Sequence, residues 1–140
     1  MAKKLLTHTG ARRLLKLARL LEKVPPDKFS MRAWVHNWVG THGPIKPGDC
    51  NTTACAMGWA VMVPELHNAG LRLVGGYPTI KYKGRNWHGY SAAKVLFGVT
   101  YSEAHVLFSS VNTKSRARDN ETPVQCAKRI RRFVTARMPV

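Results

Sequence analysis

"ARRLLKLARLLEK", residues 11–23, decides how the rest of the chain is read. Leu14, Ala18 and Leu21 recur at helical spacing, and Leu15 and Leu17 widen the apolar face they make. Arg12, Lys16, Arg19 and Lys23 fall at i, i+4, i+7 and i+11, which puts four cations in a narrow strip on the opposite side. A strand would alternate with a period of two, and this segment does not. The spacing therefore predicts an amphipathic helix packed on a core, and Pro25-Pro26 must end it, because proline lacks the N–H that a helix interior needs.

Outward from that helix, the pattern stays mostly helical. Ser30 is a candidate N-cap for a short helix "MRAWVHNWV", with Trp34, Val35 and Trp38 turned inward. "GTHGPIKPGD" (40–49) is a loop by its glycines and prolines. A helix is expected from about Thr52 to Met62, with Cys55, Trp59 and Met62 on one face, and a last turn "PELHNAG" (64–70) is closed by Gly70. "LRLVGGYPTIKYKG" (71–84) reads as a β-hairpin around Gly75-Gly76, with strands near 71–74 and 79–83 and with Lys81, Lys83 and Arg85 on its open side. "SAAKVLFGVTYSEAHVLFSS" (91–110) gives two short helices hinged at Gly98-Val99-Thr100, followed by a basic loop. The final helix has the strongest start signal: Thr122 as N-cap, Pro123 at the first helical position and Gln125 completing a capping box. Val124, Ala127, Ile130, Phe133 and Val134 should face inward, leaving Lys128, Arg131 and Arg132 outside. The fold expected is mainly α, about six short helices with one small β-hairpin, in a single compact domain over 1–140.

Composition bounds the function. The chain has 140 residues, and 23 Lys and Arg stand against 7 Asp and Glu, a formal net charge of +16. Solubility alone does not require such an excess, and it predicts an anionic partner. The excess concentrates at the ends: residues 1–28 and 111–140 each carry eight basic and two acidic side chains, against seven and three in the longer core of 29–110. Three cysteines in an odd count suit free thiols in a reducing compartment rather than a disulfide framework. No apolar run is long enough for a membrane span or a signal peptide, so a cytoplasmic protein without a membrane role is expected.

The basic strips are the leading functional feature. Arg12, Lys16, Arg19 and Lys23, the hairpin cations Lys81, Lys83 and Arg85, and Lys128, Arg131 and Arg132 of the last helix suit contact with a phosphate backbone. The ordinary alternative is a solvated helix face, but Glu22 is the one carboxylate within the first helix to offset its cations. The 91–108 segment invites a helix-turn-helix reading. Its outward residues Thr100, Tyr101, Ser102, Glu103 and His105 offer no Arg, Lys, Asn or Gln to base edges, so a packed helical hairpin is the better reading.

Two readings of chemistry compete with binding. His36, His42, Cys50 and Cys55 have metal-ligand side chains, but C-x4-C with H-x5-H is loose for a structural zinc site, and neither a metal nor another cofactor is predicted. Cys50 near a helix start could be a nucleophile with His88 or His36 as base, yet no hydrolase signature surrounds it.

The segments "CNTTACAMGWAVMVPELHNAGL" (50–71), "AAKVLFGVTYSEAHVLF" (92–108) and "TPVQCAKRIRRFV" (122–134) resemble a group of small uncharacterised proteins from bacteriophages and bacterial genomes. That group shares a Cys-Gly-Thr-x-x-Cys-x-x-Gly-Trp-Ala motif, matched here by Cys50, Thr52, Cys55, Gly58, Trp59 and Ala60. Asn51 departs from the motif glycine. The resemblance implies a phage-type accessory protein in the cytoplasm of a bacterial host, or associated with the virion. The expected function is non-enzymatic binding of nucleic acid or a nucleoprotein complex through basic helical faces. An acidic host or virion protein is the alternative partner, and a cysteine or zinc enzyme centred on Cys50 the third reading.

Overall fold

The computed structural model describes residues 6–31, 35–37, 52–109 and 121–138. Among them, six α-helices and two small antiparallel sheets share one apolar core, so the chain is mainly α with a minor β component.

Helix α1 spans His8–Leu21, starting three residues before the apolar pattern because Thr7 caps it, its side chain accepting from the Gly10 N–H at 3.0 Å. Leu14, Leu17, Ala18 and Leu21 are fully buried, as the spacing predicts. Two prolines end the helix, and Pro26–Lys28 forms a single 3₁₀ turn. Gly10 lies against α4 (Tyr90–Phe97), where a Cβ would overlap the Phe97 carbonyl oxygen; here glycine is required for the approach of two backbones.

Of the helix expected over 31–39, the described residues 35–37 are extended instead, and the rest of that segment apart from Met31 lies outside the described residues. Val35–Asn37 is strand β1, paired antiparallel with β2, Thr52–Ala54, in the register Val35↔Ala54 and Asn37↔Thr52. Ser30 caps no helix; its N–H donates to the Ala54 carbonyl at 3.0 Å. Threonine and valine prefer a pleated backbone, and pairing between distant segments outweighs a weak local helical pattern. The helix expected from Thr52 is correspondingly short: α2 is Ala56–Ala60, with Cys55 at the N-cap position. Cys55 and Trp59 are buried as expected, whereas Met62, beyond the helix end, is 42% exposed.

Helix α3, Pro64–Asn68, ends as predicted at Gly70, whose φ is +110°. The Leu71 N–H donates to the Leu66 carbonyl and that of Gly70 to His67, a Schellman closure with Leu66 and Leu71 both buried beneath it.

The expected hairpin is a three-stranded sheet. β3 (Arg72–Val74), β4 (Tyr77–Tyr82) and β5 (Arg85–His88) run in sequence order through two-residue turns, Gly75-Gly76 and Lys83-Gly84, all four residues at positive φ. Such turns match the twist of the strands they join, and Gly84 supplies half of what the second needs. The missed strand also corrects the placement of the cations. Register pairs Ile80 with Trp87 and Tyr82 with Arg85, so these four share the face that packs toward α4, while Lys81 lies on the other and Lys83 sits in the turn.

Helices α4 and α5 (Tyr101–Phe108) pack as a hairpin about Gly98, whose φ is +68°. A capping box at Thr100 and Glu103 starts α5. Helix α6, Pro123–Arg137, opens on the predicted box of Thr122 and Gln125 and buries Cys126, Ala127, Ile130 and Val134. Val124 is 45% exposed instead of buried, because Pro123 takes the inward position of the first turn. The principal helix–helix contact is α1 on α6. The start of α1 meets the end of α6, where the Leu6 N–H donates to the Arg137 carbonyl at 3.2 Å.

Candidate polyanion interface

Burying Leu14, Leu17 and Leu21 turns the strip Arg12, Lys16, Arg19 and Lys23 directly outward, and all four are exposed. One flank of the strip meets α3. There Glu65 gathers three cations: Arg12 through Nη2 at 2.9 Å and Nε at 3.0 Å, Lys16 Nζ at 2.9 Å, and Arg13 Nε at 3.2 Å. Hydrogen bonds from Arg12 and Lys16 hold the Glu65 carboxyl down from 4.5 to about 2. Arg13 also donates to the Leu96 carbonyl at 2.9 Å, tying α1 to the end of α4.

The other flank meets α6. Arg131 Nη2 lies 2.7 Å from Glu22 Oε1, next along the chain from Lys23. The bond to Arg131 lowers the Glu22 pKa, opposed by partial desolvation. Thus the strip of α1 and the Arg131 side of α6 border one surface. Lys128 and Arg132 lie within a turn of Arg131 and are exposed. Among the described residues, no carboxylate forms an ion pair with Arg19, Lys23, Lys128 or Arg132.

Two shallow depressions border the strip. One, of about 340 Å³, lies between Arg12, Lys16 and Arg19 and the apolar Leu15 and Met138. The second, of about 260 Å³, has Lys16, Arg19 and Lys23 around Leu20, Val63 and Pro64. Lys16 and Arg19 belong to both, so they form the ridge between them.

Two other arginines have structural work. Arg129 bonds Glu121 at 2.9 Å and donates to the Leu107 carbonyl at 2.8 Å, which satisfies the end of α5. Arg137 bonds Glu103 at 3.0 Å, with its guanidinium 4.8 Å from the Phe133 ring.

The candidates for chemistry fare differently. Cys50 and His42 lie outside the described residues, and His36 is in β1, of which only the backbone is described. Cys55 is buried, and desolvation pushes its thiol up to about 11. Cys126 is likewise buried, its thiol pushed up to about 12. Neither is a thiolate at neutral pH. His88 is exposed on the sheet, its Nδ1 2.9 Å from the Thr79 hydroxyl. That hydroxyl is also 2.9 Å from the Tyr77 carbonyl, and in the His88 tautomer that carries Nδ1–H both contacts are hydrogen bonds. Among the described residues, no three His, Cys, Asp or Glu side chains are grouped to hold a metal ion, and no helix is long and apolar enough to cross a membrane.

Sequence reasoning did not single out Glu65 as the hub of the strip, nor Arg13 as its third partner. It also missed Tyr82, Trp87 and Lys94, which line a groove beside β5; the Lys83-Gly84 turn between the two aromatic residues was the signal that could have found it. Comparison with models of protein families, with curated proteins and with solved structures gives no match.

Proposed function

We propose that this protein binds nucleic acid, or a nucleoprotein complex, through the surface shared by the α1 strip and the adjoining side of α6. One observation carries the reading: Glu65 and Glu22, which flank the strip, are already engaged, and Arg19, Lys23, Lys128 and Arg132 remain without a carboxylate partner among the described residues. An array of that kind attracts phosphates and releases their counterions. Sequence-independent binding follows, because contacts of Lys and Arg with the phosphate backbone carry no sequence information.

Fluorescence-anisotropy titration with generic DNA and RNA across a salt series tests this. Affinity should fall steeply with salt, at a slope equivalent to about three to five neutralised phosphates. Absence of binding at low salt, or binding indifferent to salt, overturns it.

A second reading rests on the apolar floors of the two depressions, Leu15 with Met138 and Leu20 with Val63 and Pro64. Apolar floors rimmed by cations suit an acidic amphipathic segment of a host or virion protein. Affinity capture from a bacterial lysate with and without nuclease separates the two: nucleic-acid-mediated capture is lost on digestion, direct protein capture is retained. A phage-type accessory role in the host cytoplasm is proposed from the sequence resemblance alone.

A further inference from the structure

The polyanion surface reads charge and nothing else; a second basic site on the molecule has the parts to read something more. Between β4–β5 and the end of α4 lies a groove of about 430 Å³, lined by Tyr82, Lys83, Trp87, Lys94, Val95, Gly98 and Val99. Its size lies within the range of small-ligand sites. Tyr82 and Trp87 are on the same sheet face, on neighbouring strands, with Tyr82 46% exposed and Trp87 half-buried. Trp87 Nε1 donates to the Tyr82 carbonyl at 3.3 Å, which fixes the indole relative to the strand beside it.

Cations surround these rings. Arg85 lies 5.2 Å from the Trp87 ring and Lys83 Nζ 5.3 Å from that of Tyr82, while Lys94 projects from α4 on the opposite wall. Among the described residues no carboxylate lines the groove, and Glu22, Glu65, Glu103 and Glu121 are bonded to arginines elsewhere. The helix end contributes a different chemistry. Gly98 follows the last turn of α4, where backbone carbonyls give a partial negative charge that suits the amino and imino hydrogens of a base better than a bare phosphate.

We propose that this groove accepts unpaired nucleobases, so that the protein's ligand is single-stranded nucleic acid: bases stack at Tyr82 and Trp87, and flanking phosphates meet Lys83, Arg85 and Lys94. A base paired within a duplex keeps its faces covered and cannot enter. The inference rests on the nucleic-acid reading above and narrows it.

The test uses the full chain with an oligo-dT single strand of about 15 nucleotides and the dT·dA duplex of the same length, read by anisotropy and by tryptophan fluorescence. The single strand should bind more tightly and quench the emission, and Trp87→Phe should remove most of that quenching. Tyr82→Ala, at an exposed position, should weaken single-strand binding by about 5- to 100-fold and leave duplex binding nearly unchanged. Lys23→Ala should weaken both alike. Equal affinity for the two forms, or a Tyr82→Ala variant with unaltered single-strand affinity, overturns the groove assignment while leaving polyanion binding intact. Absence of binding to either form overturns the nucleic-acid reading itself. Circular dichroism of each variant verifies the fold.

Discussion

Arg131, midway along α6, reaches across to Glu22 at the end of α1 with a separation of 2.7 Å, and so joins the two basic helices of the molecule through a shared carboxylate. Both side chains remain about two-fifths exposed, so the bond contributes little stability, at most about 1 kcal/mol. Its larger effect is on the field of the surface. Glu22→Gln should leave the melting temperature nearly unchanged and tighten polyanion binding several-fold at low salt, with the gain disappearing at high salt. Anisotropy titration at two ionic strengths measures both.

Glu65 makes a pH-dependent contribution. Its pKa falls from 4.5 to about 2 in the folded chain. A depressed carboxylate stabilises the fold fully above its unfolded value, and that stabilisation fades as the pH drops from about 4.5 toward about 2. Urea midpoints measured across that interval should decline, and the decline should be shallower in Glu65→Gln. The same variant frees Arg12 and Lys16 at neutral pH, so polyanion affinity should rise; a fall would contradict the proposed surface.

Gly10 and Gly84 offer a contrast between two reasons for glycine. At Gly10 a Cβ would collide with the Phe97 backbone carbonyl, which cannot move without shifting α4, whereas at Gly84 it meets nothing within 4 Å but sits at φ +77°. Gly84→Ala should cost about 1 kcal/mol of backbone strain. Gly10→Ala should cost more, about 2–3 kcal/mol or above, with α1 and α4 forced apart. Chemical denaturation of the pair ranks them.

Cys55 and Cys126 should resist thiol reagents in the native protein at neutral pH and react on unfolding, because burial holds their pKa values at about 11 and 12. Mass-spectrometric mapping after a brief exposure to iodoacetamide, with and without denaturant, follows each thiol separately. Rapid native labelling of Cys55 would contradict its burial.

The elements that could be read from the sequence are those whose cause is local. Thr122, Pro123 and Gln125 determine the start of α6 among themselves, and the period of Leu14, Ala18 and Leu21 orients α1 without reference to any other segment. β1 was illegible for the opposite reason: its pairing partner, Thr52–Ala54, lies beyond a long intervening segment, and Trp34, Val35 and Trp38 fit a helical spacing equally well. β5 lacks the alternation of apolar residues that marks a buried strand, so the Lys83-Gly84 turn was its one local sign. For the site, residue type and spacing revealed the cations but not their neutralisation. Glu65 stands 53 positions from Arg12, and nothing in the intervening sequence says that they meet.

The clasp of α1 by α6 also places a demand on synthesis. Glu22 and Arg131 are 109 positions apart, and at a translation rate of about 5–20 residues per second the first helix waits roughly 5–20 s for the surface that covers it. During that interval α2 and α4 can pack on Leu14, Leu17 and Leu21, but the largest part of their cover is still to come.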